Sequence, residues 1–181
     1  MQYYAIHVLT KTEDDFARRL QPVVGKDRLI IPKKLLTIRR RGVSRKELSP
    51  VFPGYVFIKS EDILAELDTY WVIRRTQGFI RFLRESSAPS PLSDMDLRLL
   101  RHFISFGEFA DTSKVTFDAD DRIVVLEGPL KGLEGHIVRV DRRKKRARIV
   151  LDMYESKFTV DLGFEVVERV KSGGDHEESG T

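Results

Sequence analysis

The chain has 181 residues, enough for one ordinary domain or two small ones at roughly 150 residues per domain. A hydrophobic share of 41% with 11 Phe, 5 Tyr and one Trp supplies packed cores, so the 33% of charged residues does not signal disorder. Net charge is only +4, and the absence of cysteine excludes disulfide frameworks, thiolate metal sites and cysteine nucleophiles. No apolar run reaches the roughly 18 residues of a membrane helix, and Met1 to Val8 lacks the features of a signal peptide. The expectation is a soluble cytoplasmic protein that makes no membrane contact.

Tyr4, Ile6 and Val8 alternate with Tyr3, Ala5 and His7, the pattern of a strand buried largely on both faces. Thr12 and Asp15 resemble a capping box, Phe16, Ala17 and Leu20 form one helical stripe, and Pro22 is expected to close that helix. Leu29 to Pro32 and Leu35 to Arg41 read as extended pieces, with a β-hairpin that carries a basic tip. Val51-Phe52-Pro53-Gly54 is a bend before the strand Tyr55 to Ile58. Ile63, Leu64, Leu67 and Trp71 predict the buried stripe of a second helix, followed by strands at Val72-Ile73 and Phe79 to Leu83. Ser93 and Asp96 cap a third helix with Leu97, Leu100, Phe103 and Ile104 on one face.

After Gly107 the character changes. Residues 1–106 are expected to form one α/β domain with an antiparallel sheet, 107–114 a linker, 115–171 a small β-barrel, and 172–181 a disordered tail, giving an α+β protein. Strands are expected at 123–125, 136–140, 147–151 and 157–160.

Catalysis finds little support. The four histidines, His7, His102, His136 and His176, sit in separate segments without metal-ligand spacing. Gly128-Pro129-Leu130-Lys131-Gly132 lacks P-loop spacing and reads as a structural turn, and acidic pairs such as Asp14-Asp15 and Asp120-Asp121 read as solvated. No enzyme activity, metal or cofactor is expected.

Charge patterning is more informative. Between Arg28 and Lys46 there is no Asp or Glu, while Lys33, Lys34, Arg39, Arg40, Arg41, Arg45 and Lys46 form a basic block suited to releasing counterions from a nucleic acid. A second block, Arg139, Arg142, Arg143, Lys144, Lys145, Arg146 and Arg148, is relieved only by Asp141 in the sequence. Each reads either as a nucleic-acid contact or as a solvated face. Tyr3, Phe52 and Tyr55 read either as a partly exposed patch that accepts another protein's helices or as ordinary core.

Ser49-Pro50-Val51-Phe52-Pro53-Gly54-Tyr55-Val56-Phe57-Ile58 resembles the PLFPGYVFV-type signature of the NusG family of transcription elongation factors. It stands in order with Tyr3 to Val8, Ile30-Ile31-Pro32, Ile73 to Phe79 and Pro91 to Asp94, and Asp121 to Val138 resembles a KOW motif. The resemblance implies an N-terminal NGN domain that grips the clamp helices of RNA polymerase and a C-terminal SH3-like barrel that recruits other machinery, neither of them catalytic. It also implies that Tyr3, Phe52 and Tyr55 form the clamp-binding pocket. Arg75 and Thr76 fall where some relatives touch non-template DNA, Arg74 is an expected nucleic-acid contact beside them, and nascent RNA is a further expected contact. Leu130, Leu133, Met153 and Tyr154 match apolar surface positions through which relatives bind the ribosomal protein NusE or the termination factor Rho. The departures at Arg75, Gln77, Leu130 and Leu133 suggest a specialised antitermination factor, similar to the LoaP type, acting as a monomer on selected operons. The alternatives are a housekeeping NusG and a KOW-containing ribosomal or RNA-binding protein. Whether the barrel docks on the first domain is not legible at this level.

Overall fold

A computed structural model of the chain describes residues 1–85, 88–154 and 156–167. Strand β1 (Gln2–Val8) leads through a tight turn into helix α1 (Glu13–Val24), and the short β2 (Leu29–Ile30) precedes a long hairpin, β3 (Lys33–Arg40) and β4 (Val43–Pro50). After β5 (Tyr55–Ser60) come α2 (Leu67–Arg75), β6 (Phe79–Phe82), the two-residue β7 (Arg84–Glu85) and β8 (Ala88–Pro89), and α3 (Asp94–Ile104). The remaining strands are β9 (Ser113–Phe117), β10 (Ile123–Glu127), β11 (Ile137–Asp141), β12 (Arg146–Met153) and β13 (Ser156–Val166).

The first sheet is antiparallel in the order β2-β5-β1-β6. Its two faces follow from the alternation in β1. Tyr4, Ile6 and Val8 join Phe16 and Leu20 of α1, Ile73 of α2, and Val56 and Ile58 of β5 in one core. Ala5, with Phe52, Phe57, and Leu100 and Phe103 of α3, belongs to the opposite core. The five strands after α3 form a barrel-like sheet in the order β10-β9-β13-β12-β11, in which β9 and β13 run parallel and every other pairing is antiparallel. Ala147, Ile149, Leu151, Val160, Leu162 and Phe164 fill its interior by the same two-residue period.

Several expectations change. Pro22 lies inside α1 rather than ending it: the ring removes one backbone donor, but Gly25 N still reaches Gln21 O and buried Val24 holds the last turn. Thr12 caps without a side-chain bond to the helix, because its hydroxyl donates to Leu9 O. Val72-Ile73 is helical, not a strand, since Ile73 points into the core while Tyr70 stacks on Phe82. The stripe Leu64, Leu67 and Trp71 faces solvent, at 43%, 61% and 46% exposure, and only Ile63 of the expected set is buried. Ser93 does cap α3: its hydroxyl accepts from Asp96 N and donates to the Asp96 carboxylate. Strand β9 begins at Ser113, within the expected linker, and the tail expected at 172–181 lies outside the described residues.

The second core does not stop at the expected domain boundary. Residues of β5 and α3 and residues of the barrel, among them Leu130, Leu133, Met153 and Val160, belong to one continuous apolar cluster.

Candidate functional site

The FPGY bend is built to hold Tyr55 in place. Gly54 adopts φ +85°, and a Cβ there would press on Thr10 Oγ1 at 3.2 Å. Its amide donates to the buried Glu13 carboxylate at 2.6 Å, and its carbonyl accepts from Val8 N at 2.8 Å. Tyr55, the next residue, stacks on His7 with centroids 5.1 Å apart and planes 12° from parallel. Burial, and then the nearby Arg81 charge, hold the His7 imidazole below its ordinary range.

Phe52 is 1% exposed and Tyr55 7%, which corrects the picture of a partly exposed patch. The residue that covers them comes from the barrel. Phe158 of β13 meets Phe52 edge-to-face at 5.3 Å and Tyr55 at 5.2 Å, while Phe52 also packs on Phe57 and Phe103. Tyr3 is half-buried at the edge of this cluster, with the Lys59 ammonium 6.0 Å from its ring centre.

Polar contacts fasten the two domains around these rings. His102 Nε2 lies 2.8 Å from Pro129 O, Tyr154 donates through its hydroxyl to Ser90 O at 3.0 Å, and Tyr154 N donates to Asp96 Oδ1 at 3.4 Å. On the hairpin side Lys34 Nζ donates to Asp161 O at 3.0 Å and Arg146 donates to Thr37 O at 2.6 Å. The linker joins in, since Ala110 N donates to Lys33 O and Leu35 N to Ala110 O.

The barrel positions expected to be apolar surface are therefore not surface here. Leu130, Leu133 and Met153 are buried at 0%, 6% and 1% exposure, and Tyr154 is half-buried against the first domain. The turn that carries Leu130 is structural, as its spacing suggested. Gly128 sits at φ +96° with its Cβ position 2.6 Å from Ser113 Cα, and the buried Ser113 hydroxyl accepts from Leu130 N at 2.9 Å.

The basic residues divide into tethered and solvent-facing. Lys33 pairs with Asp14 at 2.8 Å, and Lys34 is drawn into the domain junction, where burial pushes its ammonium below the usual lysine range. Arg142 pairs with Asp121 and lies over the Phe117 ring at 3.6 Å. Arg74 donates to the Tyr70 hydroxyl and stacks on Trp71, over which Arg75 also lies, while the Thr76 hydroxyl donates to Val72 O and closes α2. Arg39, Arg41, Arg45 and Lys46 are exposed at the hairpin tip, where Arg41 and Gly42 adopt φ +50° and +81°, and Arg40 ends β3 opposite Val43. Arg143, Lys144 and Lys145 are exposed on the barrel turn. No group of His, Asp or Glu suited to holding a metal ion occurs among the described residues.

Glu13, Phe158 and His102 carry this site, and nothing in the sequence singles them out for it. Glu13 reads as an ordinary acidic helix start and Phe158 as one more strand residue. Only their partners, 41 positions away for Glu13 with Gly54, reveal the roles.

Comparisons with known proteins place the two halves of the chain in turn. A family model described as "Transcription termination factor nusG" matches residues 1–101, and a KOW motif model matches residues 119–152. "Transcription termination/antitermination protein NusG" of Synechocystis is 26% identical, covering 92% of this chain and 88% of its own; those of Staphylococcus epidermidis and Bacillus subtilis are each 22% identical, covering 93% of this chain and 96% and 98% of their own. The solved structure "Domain interaction in Thermotoga maritima NusG" superposes with a TM-score of 0.49 at 16% identity, covering 90% of this chain and 93% of its own.

Proposed function

Since the chain belongs to the NusG family of transcription factors, whose members are not enzymes and associate with RNA polymerase and nucleic acid, we propose that it grips the polymerase clamp helices through Tyr3, Phe52 and Tyr55 and does so only after the barrel has left them. One observation carries this reading: the pocket rings are covered by Phe158, a side chain from another domain. A surface of this kind can be uncovered by moving one body, with both domains still folded.

The barrel's own partner surface obeys the same rule. Leu130, Leu133 and Met153 are buried in the cluster that hides Phe52 and Tyr55, and half-buried Tyr154 packs against it, so one opening event exposes both surfaces. Clamp binding and recruitment of a barrel partner such as NusE or Rho are thereby coupled through a shared cost. The exposed cations at the hairpin tip and those on α2, with Arg74 and Arg75 held against Trp71, present charge and stacking surface for the non-template strand or the nascent transcript.

We read the chain as a specialised antitermination factor rather than a housekeeping one on the departures at Arg75, Gln77, Leu130 and Leu133. A ribosomal role leaves the match over residues 1–101 without an account.

Pull-down of RNA polymerase by wild type, Phe158→Ala, and Phe158→Ala combined with Tyr55→Ala tests the proposal, with circular dichroism to verify folding. Phe158→Ala should retain more polymerase than wild type, and the added Tyr55→Ala should abolish the gain. Equal retention by the single and double variants would refute the clamp assignment. Read-through of a terminator by Phe158→Ala, in the presence of purified polymerase, tests antitermination directly.

A further inference from the structure

The barrel's basic block closes around a pocket at the edge of the domain junction, lined by Arg139, Asp141, Lys144, Arg146, Arg148 and Asp161. Four cations face two carboxylates, and both carboxylates are already engaged. Asp161 accepts from Arg148 Nε at 2.7 Å and from its terminal nitrogen at 3.1 Å, and Asp141 Oδ1 accepts from Lys144 N at 2.9 Å. The Arg148 pairing is also the main reason the Asp161 carboxyl is held below its usual range. What remains is a surplus of positive charge in a cavity of about 140 Å³. At about 30 Å³ for each water, a four-oxygen anion fits there.

Arg146 is the decisive side chain. One terminal nitrogen donates to Thr37 O on the hairpin, while its buried Nε has no acceptor among the described residues. The Arg146 side chain lines the cationic pocket, and phosphate matches the fork geometry of arginine. The hairpin contributes twice to this arrangement. Thr37 O fixes Arg146, and the Lys34 ammonium, brought up to Asp161 O, adds its charge to those of Arg146 and Arg148.

We propose that this barrel pocket is a phosphate site whose Arg146 and Asp161 are held by the hairpin's Thr37 carbonyl and Lys34 ammonium, so that it is fully set only while the domains are docked and phosphate occupancy favours the closed arrangement. Linkage makes the effect reciprocal: an anion that binds the docked form more tightly shifts the population toward it, and opening weakens the anion's binding by the same factor. The phosphate belongs either to a nucleic-acid backbone or to a free phosphate. The proposal rests on the docked arrangement but not on polymerase binding.

Because the chain has no cysteine, the replacements Gly42→Cys and Thr159→Cys give a dye pair that reports the hairpin–barrel distance. Inorganic phosphate and a short single-stranded RNA are titrated into labelled full-length protein, alone and in competition. Arg139→Gln with Lys144→Gln should weaken phosphate binding by about tenfold or more, in line with the loss of charge-assisted bonds. Phe158→Ala, which loosens docking, should bind phosphate more weakly, and added phosphate should return its dye pair toward the wild-type distance. Displacement of RNA by phosphate identifies the backbone as the source, whereas phosphate binding without displacement identifies the free anion. Phosphate affinity unchanged by Arg139→Gln with Lys144→Gln removes the site, and affinity unchanged in a visibly opened Phe158→Ala removes the coupling. No arm involves polymerase, so failure here and failure of the clamp assignment are separate results.

Discussion

At the scale of single residues, the FPGY bend depends on a carboxylate that the motif itself does not contain. Glu13 is buried and its carboxylate accepts from Gly54 N, so Glu13→Ala leaves an orphan amide beneath Tyr55. The expected loss is about 1.5–3 kcal/mol in denaturant unfolding, with Glu13→Gln costing less because its amide oxygen still accepts. The two glycines of the KOW turn separate strain from crowding. Gly132, at φ +84° with open space around its Cβ position, should lose about 1–2 kcal/mol as Ala from left-handed backbone alone. Gly128→Ala adds a 2.6 Å approach to the Ser113 backbone and should be clearly worse in the same denaturant unfolding. His7 supplies a pH dependence. Its folded pKa is depressed from 6.5, chiefly by burial, so its share of stability is present above that value and is lost as pH falls. His7→Phe, which keeps a ring against Tyr55 but cannot titrate, should flatten the stability profile below pH 6.5; an unchanged slope would show that another group sets it.

Among the elements, the hairpin and α2 show where periodicity is a sound guide and where it misleads. The hairpin's basic tip was legible because seven cations without an intervening carboxylate have no core to enter. Its base was not, since Lys33 and Lys34 are claimed by Asp14 and Asp161, far away in sequence. Replacing Arg39, Arg41, Arg45 and Lys46 with Gln should therefore weaken nucleic-acid binding and lower the salt slope by about 0.7 for each single-strand phosphate no longer neutralised, while leaving the melting temperature nearly unchanged. Leu64, Leu67 and Trp71 have the spacing of a helical stripe, but α2 begins only at Leu67 and the sheet takes Ile73 and Tyr70 instead. The exposed Trp71 is then used by Arg74 and Arg75. A stripe establishes which residues share a face and leaves open which face meets a partner.

For the whole molecule, docking is the largest feature that sequence patterning left undecided. Phe158→Ala removes two edge-to-face contacts, each worth about 0.5–1.5 kcal/mol beyond area burial, and should open the domains without unfolding either. The check is a fall in hairpin–barrel energy transfer at constant circular dichroism. The alternation in β1, the bend at Gly54, the cap at Ser93 and the closely spaced barrel strands were readable from the chain because each rests on local geometry: side-chain period, left-handed backbone or a cap three residues away. The state of Phe52 and Tyr55, of Leu130 and Met153, and of every cation around Arg146 was decided only in three dimensions. An apolar side chain on a strand is equally suited to its own core or to another domain's surface, and a charge carries no mark of its counter-ion. Burial and pairing between segments up to 127 residues apart, as for Lys34 and Asp161, depend on how two folded bodies meet.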